Sequence, residues 1–193
     1  GYTLDECYEG IDSGFTSVMF DGSKLTLNEN IKISKKIASR AHKHNISVEG
    51  EIGFVGYDNG KISEGTNIED AVTFANKSNI DAMAISVGNT HLQTSKKANI
   101  DFKKINLIEA KTKIPLVLHG SSGIPVEQRK KLSRKTKVAK LNIGTEIRMT
   151  FGEALRKNLK NNPKTYDRLQ LLKPTIKDLI KVTKKIIKQI GPN

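Results

Sequence analysis

Short apolar runs alternate with amphipathic segments along the whole chain. Each run is of strand length, and each precedes a segment with apolar residues at helical spacing. This rhythm predicts βα units and a parallel sheet. The predicted strands are Phe15–Phe20, Ile46–Glu51, Ala82–Val87, Ile114–Leu118 and Val138–Asn142.

Capping residues mark where the helices begin. Thr3 with Glu6, and Thr66 with Glu69, have the spacing of a capping box, and Asp101 is a predicted N-cap. The first helix precedes every predicted strand, which we interpret as a sign of truncation. The first predicted helix begins at Thr3 and ends before Gly14, the second spans 28–44, and the third runs from Thr66 to Lys77. Two more start at Asp101 and at Pro125, and further helices continue from Ile147 to Ile190.

Two folds fit this pattern: an open doubly wound sheet that lacks an edge, and a (β/α)8 barrel that lacks its first units. Every predicted strand ends in polar or glycine residues, as a barrel with its site at that face requires. We therefore expect a (β/α)8 TIM barrel with its first three βα units largely missing. Residues 1–193 would form a single catalytic domain, incomplete at its N-terminus. The strand-end residues are Asp21, Glu51, His91, His119 and Asn142.

Composition narrows the class of protein without identifying it. The chain has 193 residues, 36% hydrophobic and 27% charged, and its single cysteine, Cys7, fits a reducing compartment. No apolar run approaches the roughly 20 residues needed to cross a bilayer. These features predict a cytoplasmic protein with no membrane partner.

The net charge of +13 raises the question of nucleic acid. Most lysines fall on polar helix faces, and aromatic residues make up only 5% of the chain without basic–aromatic interleaving. We therefore expect no nucleic-acid partner.

Two histidines directly follow predicted strands, so in a barrel both would reach the mouth. Neutral imidazoles so placed suit zinc, but a catalytic zinc needs a third protein ligand. The alternative is that His91 and His119 are satisfied by hydrogen bonds to backbone. His42 and His44 lie near a helix end, and we interpret them as structural.

Two glycine-containing turns follow late strands. The segments Gly120–Gly123 and Asn142–Thr145 offer backbone N–H groups and hydroxyls close to helix N-termini, which is typical of a phosphate site in a barrel. Turns of this kind are also common between a strand and a helix, so the phosphate interpretation needs further support.

The same segments carry a family resemblance. They resemble, in order and spacing, successive signatures of class II, zinc-dependent fructose-bisphosphate and tagatose-bisphosphate aldolases, and they cover nearly the whole chain. The segments are GFTSVMFDGS at 14–23, SVEGEIG at 47–53, PLVLHGSSGIP at 115–125 and KLNIGTE at 140–146, with the tail Tyr166-Asp167 and Leu172-Lys173-Pro174.

The resemblance implies zinc-dependent aldol cleavage of a ketose 1,6-bisphosphate. The expected reaction is fructose 1,6-bisphosphate to glycerone phosphate and glyceraldehyde 3-phosphate, in glycolysis and gluconeogenesis. Tagatose 1,6-bisphosphate and a non-catalytic fragment of the same fold remain alternatives. A phosphorylated sugar is the expected partner, and a homodimer or higher homo-oligomer the expected assembly.

The resemblance also implies roles for individual residues. Asp58 is the candidate for the acid in the long loop, although the family's acidic cluster there is reduced to Asp58 and Glu64. The family's catalytic Asp-His pair, which supplies the base and the third zinc ligand, would lie just before Gly1. Leu92 replaces a usual glycine. The implied roles are zinc ligation for His91 and His119, second-shell or alternative metal sites for Asp21 and Glu51, and substrate or phosphate binding for Gly120, Ser122, Asn142, Gly144 and Thr145.

Overall fold

A parallel β-sheet forms the centre of the computed structural model, which describes residues 1–56, 63 and 65–191. Its five strands are hydrogen-bonded to one another in sequence order, and all neighbouring pairs are parallel. The predicted βα arrangement is therefore confirmed. The strands are β1 Ser17–Asp21, β2 Ser47–Ile52, β3 Ala82–Ile85, β4 Leu116–Leu118 and β5 Val138–Leu141.

Helices follow the strands and continue to the end of the described chain. Two short 3₁₀ turns, His42–His44 and Ser121–Gly123, stand between the longer elements. The helices are α1 Leu4–Asp12, α2 Leu27–Ala41, α3 Ile68–Lys77, α4 Phe102–Lys111, α5 Val126–Lys135, α6 Thr145–Asn161, α7 Arg168–Leu172 and α8 Thr175–Ile190.

The predicted helix starts have mixed outcomes. The capping box of Thr3 and Glu6 is present at α1, and Asp101 accepts from Lys104 N–H at the start of α4. The box of Thr66 with Glu69 is wrong, because Asn67 caps α3 instead.

The hydroxyl of Thr66 is used elsewhere in the structure. It donates to Ile52 O at 2.8 Å and accepts from Ser86 N–H at 2.7 Å. Thr66 therefore joins the ends of two strands and has no role as a helix cap.

The two faces of the sheet differ in chemistry. One face is apolar and packs on the helices, with Phe20, Ile85 and Leu116 fully buried in the core. In β2, Gly50 lies on this helix-facing side, where a Cβ would come within 2.9 Å of Cζ of Phe74 on α3. The absence of a side chain at this position therefore lets the aromatic ring pack directly against the strand.

The opposite face of β2 carries carboxylates. Side chains alternate across a strand, so Glu49 and Glu51 both lie on the face opposite Gly50. Both are buried. Strand β2 thus presents apolar residues and Gly50 to the helices and two carboxylates to the opposite face of the sheet.

The edge of β1 that does not pair with β2 forms backbone hydrogen bonds with the first residue of the chain. The amino group of Gly1 donates to Met19 O at 2.7 Å, and Asp21 N–H donates to Gly1 O at 2.9 Å. Gly1 therefore occupies a strand-like position beside β1. Among the described residues, no helix is long and apolar enough to cross a membrane.

Candidate active site

His119 follows β4 directly and lies between two buried carboxylates. Its Nε2 is 2.8 Å from Oε1 of Glu49, and its Nδ1 is 2.8 Å from Oε2 of Glu51. The side chains of all three residues are less than one tenth exposed. Both ring nitrogens are thus occupied by acceptors, so the ring orientation is fixed by β2.

A lysine from the edge strand β5 completes this cluster. Lys140 lies on β5, and its Nζ is 2.7 Å from Oε2 of Glu49. The sheet order places β3 and β4 between these two strands. The contact therefore crosses the face of the sheet that carries Glu49, and it occupies the carboxylate oxygen that His119 does not contact.

The charges in the cluster shift each other's proton affinities. Burial opposes the charged form of His119, but hydrogen bonds to Glu49 and Glu51 raise the pKa of His119 to about 9. Burial also disfavours ionised Glu49, yet its bonds to His119 and Lys140 hold the pKa of Glu49 below its ordinary value. Burial raises the pKa of Glu51, the hydrogen bond with His119 offsets this only in part, and the nearby charge of Asp21 raises the pKa further. His119 is therefore an imidazolium at neutral pH when no metal is bound.

His91 stands close to this cluster, after β3. Its ring centroid is 6.0 Å from that of His119. Burial lowers the pKa of His91 and the charge of His119 lowers it further, against the opposing effect of Asp21, which favours the neutral form of this imidazole. A neutral ring is the form that binds a metal.

A glycine lets the two histidine-bearing segments approach each other. Gly120 has φ +61°, and a Cβ there would lie 2.4 Å from Thr90 O. Leu92 is also in the left-handed region, with φ +57°, although its side chain is more than half exposed. The glycine of the family pattern would have adopted this backbone conformation without strain.

Asp21 lies at the end of β1, opposite Glu51 in the register. Its Oδ1 accepts hydrogen bonds from Ser23 N–H at 3.1 Å and Ser23 Oγ at 2.6 Å. The loop-capping role that carboxylates often play at strand ends is therefore present. Asp21 is near enough to His91 and Glu51 to influence the pKa of both.

The two imidazoles fit two positions of a zinc site. Imidazole nitrogens bind zinc at about 2.0–2.1 Å, so two rings that share an ion have centroids roughly 5–6 Å apart. The separation of His91 and His119 is compatible with this. A metal would replace one carboxylate at His119, and the other would remain to orient the ring.

The described part of the chain does not complete such a site. Within it, no group of three His, Cys, Asp or Glu side chains is placed to hold a metal ion. His91 and His119 are thus at most two of the three ligands that a catalytic zinc requires. His42 is engaged differently, with its Nε2 2.9 Å from Oδ2 of Asp81.

The candidate phosphate residues converge at the ends of β4 and β5. Ser122 Oγ accepts from Glu146 N–H at 3.1 Å, so its own hydroxyl hydrogen can be donated to another group. Thr145 is the first residue of α6, and Gly144 is its N-cap without a side-chain capping bond. Asn142 joins the two segments, because its carbonyl accepts from Ser121 N–H at 3.0 Å.

Some predicted residues lie outside the described part of the chain, and some important residues were not predicted. Asp58 and Glu64 are outside the described residues. No role was predicted from the sequence for Glu49, Lys140 or the buried Arg129, although Glu49 and Lys140 lie within the segments 47–53 and 140–146 that carry the family resemblance. Glu49 had a further signal that could have been used, because it stands two residues before Glu51 and so shares its face of the strand.

Comparison with known proteins decides the family. The family model described as "Fructose-bisphosphate aldolase class-II" matches residues 1–193. The chain belongs to this family.

Curated relatives of this family carry two different names. A 6-phospho-5-dehydro-2-deoxy-D-gluconate aldolase of Shouchella clausii is 37% identical over 196 residues, which cover 99% of this chain and 66% of the relative. A fructose-bisphosphate aldolase of Staphylococcus aureus strain Mu50 is 33% identical over 195 residues, covering 99% and 68%. The chain thus spans about two thirds of the length of these relatives.

Solved structures of aldolases share this fold. The crystal structure of the YdjI aldolase from Escherichia coli K12 matches with a TM-score of 0.75 and 26% identity, over 99% of this chain and 66% of that one. A putative fructose-1,6-bisphosphate aldolase from Coccidioides immitis gives a TM-score of 0.81 at 20% identity, over 98% and 68%.

Proposed function

We propose that this chain belongs to a (β/α)8 barrel aldolase that cleaves a phosphorylated ketose with the help of zinc. Five parallel strands in sequence order and polar residues at their C-terminal ends support the barrel. The backbone bonds of Gly1 along the edge of β1 support a further strand on that side. Residues 1–193 would then act as one domain.

One observation carries the reaction type. His119, which is paired with His91 at 6.0 Å, is followed directly by the glycine turn that contains Ser122. The residues that would bind a metal and those that would bind an anion are thus neighbours in the chain, so the two ligands would lie close together. This spacing suits a substrate whose ketone neighbours a phosphate.

Each group has a separate task in this proposal. Zinc held by His91 and His119 would supply Lewis-acid polarisation of the ketone oxygen. Asp21 and Glu51 would orient the histidines or offer an alternative metal position, and Asn142 would hold the substrate near its carbonyl. The phosphate would be bound by Gly120, Ser122, Gly144 and Thr145.

The names of the relatives suggest two substrates with a shared half. In both fructose 1,6-bisphosphate and 6-phospho-5-dehydro-2-deoxygluconate, a ketone neighbours a phosphomethyl group, and aldol cleavage releases glycerone phosphate. The remaining aldehyde carries a phosphate in the first case and a carboxylate in the second. We propose fructose 1,6-bisphosphate as the substrate, and the 37% identical relative favours the phosphogluconate derivative as a second candidate. Tagatose 1,6-bisphosphate remains an alternative.

The test is release of glycerone phosphate from each substrate by the intact, zinc-loaded enzyme, measured by a coupled assay. A chelator should abolish cleavage and added zinc should restore it, while borohydride with substrate should leave the enzyme active. Borohydride trapping of a substrate–lysine adduct would contradict the metal mechanism. Absence of cleavage with all three sugars would favour a non-catalytic member of the fold.

We also propose a homo-oligomer. Ile176, Ile180 and Ile187 on α8 are each about half exposed and lie on one side of the helix, as a subunit contact would require. Light scattering of the intact enzyme tests this, and a strictly monomeric enzyme would contradict it. The cytoplasmic location stays a prediction.

A further inference from the structure

Arg129 on α5 is a cation without exposed surface. A buried charge is costly unless it is paired and hydrogen-bonded. Its guanidinium donates to Ser121 O from Nε at 3.2 Å and from Nη2 at 2.9 Å, and Nη2 also donates to Ser122 O at 2.8 Å. Arg129 therefore holds two consecutive carbonyl groups of the turn after His119.

The same guanidinium also contacts two other helices. Its Nη2 is 2.6 Å from Oε2 of Glu146 at the start of α6, and its Nη1 donates to Oε1 of Gln189 on α8 at 3.2 Å. The side chain of Glu146 is mostly buried. Arg129 thus fixes the position of the turn relative to the N-terminus of α6, where Thr145 lies.

A trans peptide points its C=O and the following N–H in opposite directions. Because Arg129 holds Ser121 O, the N–H of Ser122 must point away from the guanidinium. The same argument applies to Ser122 O and the N–H of Gly123. Two successive N–H groups that face the same side make a concavity suited to an anion.

The local charges favour an anion as well. Glu146 also pairs with Lys96, whose Nζ is 2.6 Å away and donates to Ser122 O at 2.8 Å. Two cationic side chains, Arg129 and Lys96, therefore share one carboxylate. The positive charge of Arg129 is fully buried beneath the turn, whereas the side chain of Lys96 is 40% exposed and its charge is screened more strongly by solvent.

We propose that Arg129 is a positioning residue for phosphate binding, which acts through the backbone of the turn and does not touch the substrate. This inference rests on the proposed function, because it takes the phosphate of the substrate as the anion. The competing interpretation is that Arg129 only joins α5, α6 and α8 and that its loss would loosen the fold without a specific effect on phosphate.

Three variants of the intact, zinc-loaded enzyme separate these interpretations. Arg129→Met removes the charge and every donor, Arg129→Lys keeps the charge without the planar fork, and Gln189→Met removes only the contact to α8. The measurements are the affinity for glycerone phosphate and for inorganic phosphate, the KM and kcat for the sugar, and the zinc content.

We expect Arg129→Met to weaken glycerone phosphate binding by roughly tenfold or more, since charge-assisted bonds to the turn are lost. KM should rise more than kcat falls, and zinc content should not change. Arg129→Lys should be intermediate. Gln189→Met should bind glycerone phosphate like the wild type, even if it unfolds more easily.

The proposal is overturned if folded Arg129→Met binds glycerone phosphate as tightly as the wild type, or if Gln189→Met loses as much affinity. If Arg129→Met does not fold, a wild-type affinity of Arg129→Lys overturns it equally. Failure of the wild type to bind glycerone phosphate would instead contradict the proposed function itself. If Arg129→Met loses affinity for inorganic phosphate by the same factor as for glycerone phosphate, the phosphate group alone accounts for the weaker binding.

Discussion

Alanine at Gly120 should separate the two segments that carry His91 and His119. The backbone at Gly120 is left-handed, which costs an ordinary residue about 1–2 kcal/mol. The new Cβ would also lie 2.4 Å from Thr90 O and 2.9 Å from His91 N, whereas ordinary contacts begin at 3.4 Å. Overpacking of this kind costs about 1–3 kcal/mol. The total loss of unfolding free energy should be about 2–5 kcal/mol.

Gly14→Ala is a matched control for this variant. Gly14 has φ +81°, but a Cβ added there would meet nothing within 4 Å. It should therefore show the backbone cost of about 1–2 kcal/mol without the contact cost. Urea denaturation followed by circular dichroism measures both variants, and the difference between them isolates the close approach at Thr90.

The same variant should affect metal binding. Because the clash involves the backbone of Thr90 and His91, relief of the clash moves the His91 ring away from His119. We expect zinc affinity of the intact enzyme, measured by chelator competition, to fall at least about tenfold in Gly120→Ala and to stay unchanged in Gly14→Ala. Equal stability of the two variants together with wild-type zinc affinity would refute the reasoning.

Three further predictions concern the same cluster. Leu92→Asn should raise the unfolding free energy by about 0.5–1 kcal/mol, because Asn tolerates the left-handed backbone better than Leu; no gain over the same change at Leu25 would count against strain at Leu92. Lys140→Met should lower zinc affinity at least about tenfold, because Glu49 loses the partner that keeps it ionised beside His119. Lys131→Met should leave zinc affinity unchanged, and the prediction is contradicted if both variants bind zinc equally well. In the metal-free protein, the pKa of His119 is raised from 6.5 to about 9, so its contribution to stability is complete below pH 6.5 and is lost as the pH rises through about 9. Denaturation curves across this range should show the loss in the wild type, and an equally steep loss in His119→Gln would exclude His119 as its cause.

Local patterns were sufficient to predict the order and type of the elements. Apolar runs and caps such as Thr3 and Asp101 act within a few residues, so the sequence contains the information. Thr66 shows where this fails. Its spacing to Glu69 is that of a cap, but the hydroxyl is engaged by Ile52 and Ser86, which are distant in sequence.

The candidate site was predictable only where it follows strand ends. That rule led to His119 and Glu51 without any knowledge of their contacts. The bond between Lys140 and Glu49 joins residues 91 positions apart, and no local pattern indicates it. Arg129 was overlooked for a related reason, since an arginine on an amphipathic helix ordinarily lies at the surface.

The packing of Phe74 against Gly50 connects the outer layer of the protein to the chemistry of its interior. Because Gly50 has no side chain, the aromatic ring packs directly on the backbone of β2, and the side chains of the neighbouring residues Glu49 and Glu51 project from the other face of this strand. Because Phe74 packs on the face opposite Glu49 and Glu51, a larger residue at position 74 would push on the backbone that carries both carboxylates. Natural variation in the helical layer would in this way change the position of the two carboxylates, and with it the proposed metal affinity, while Glu49, Glu51 and His119 stay the same.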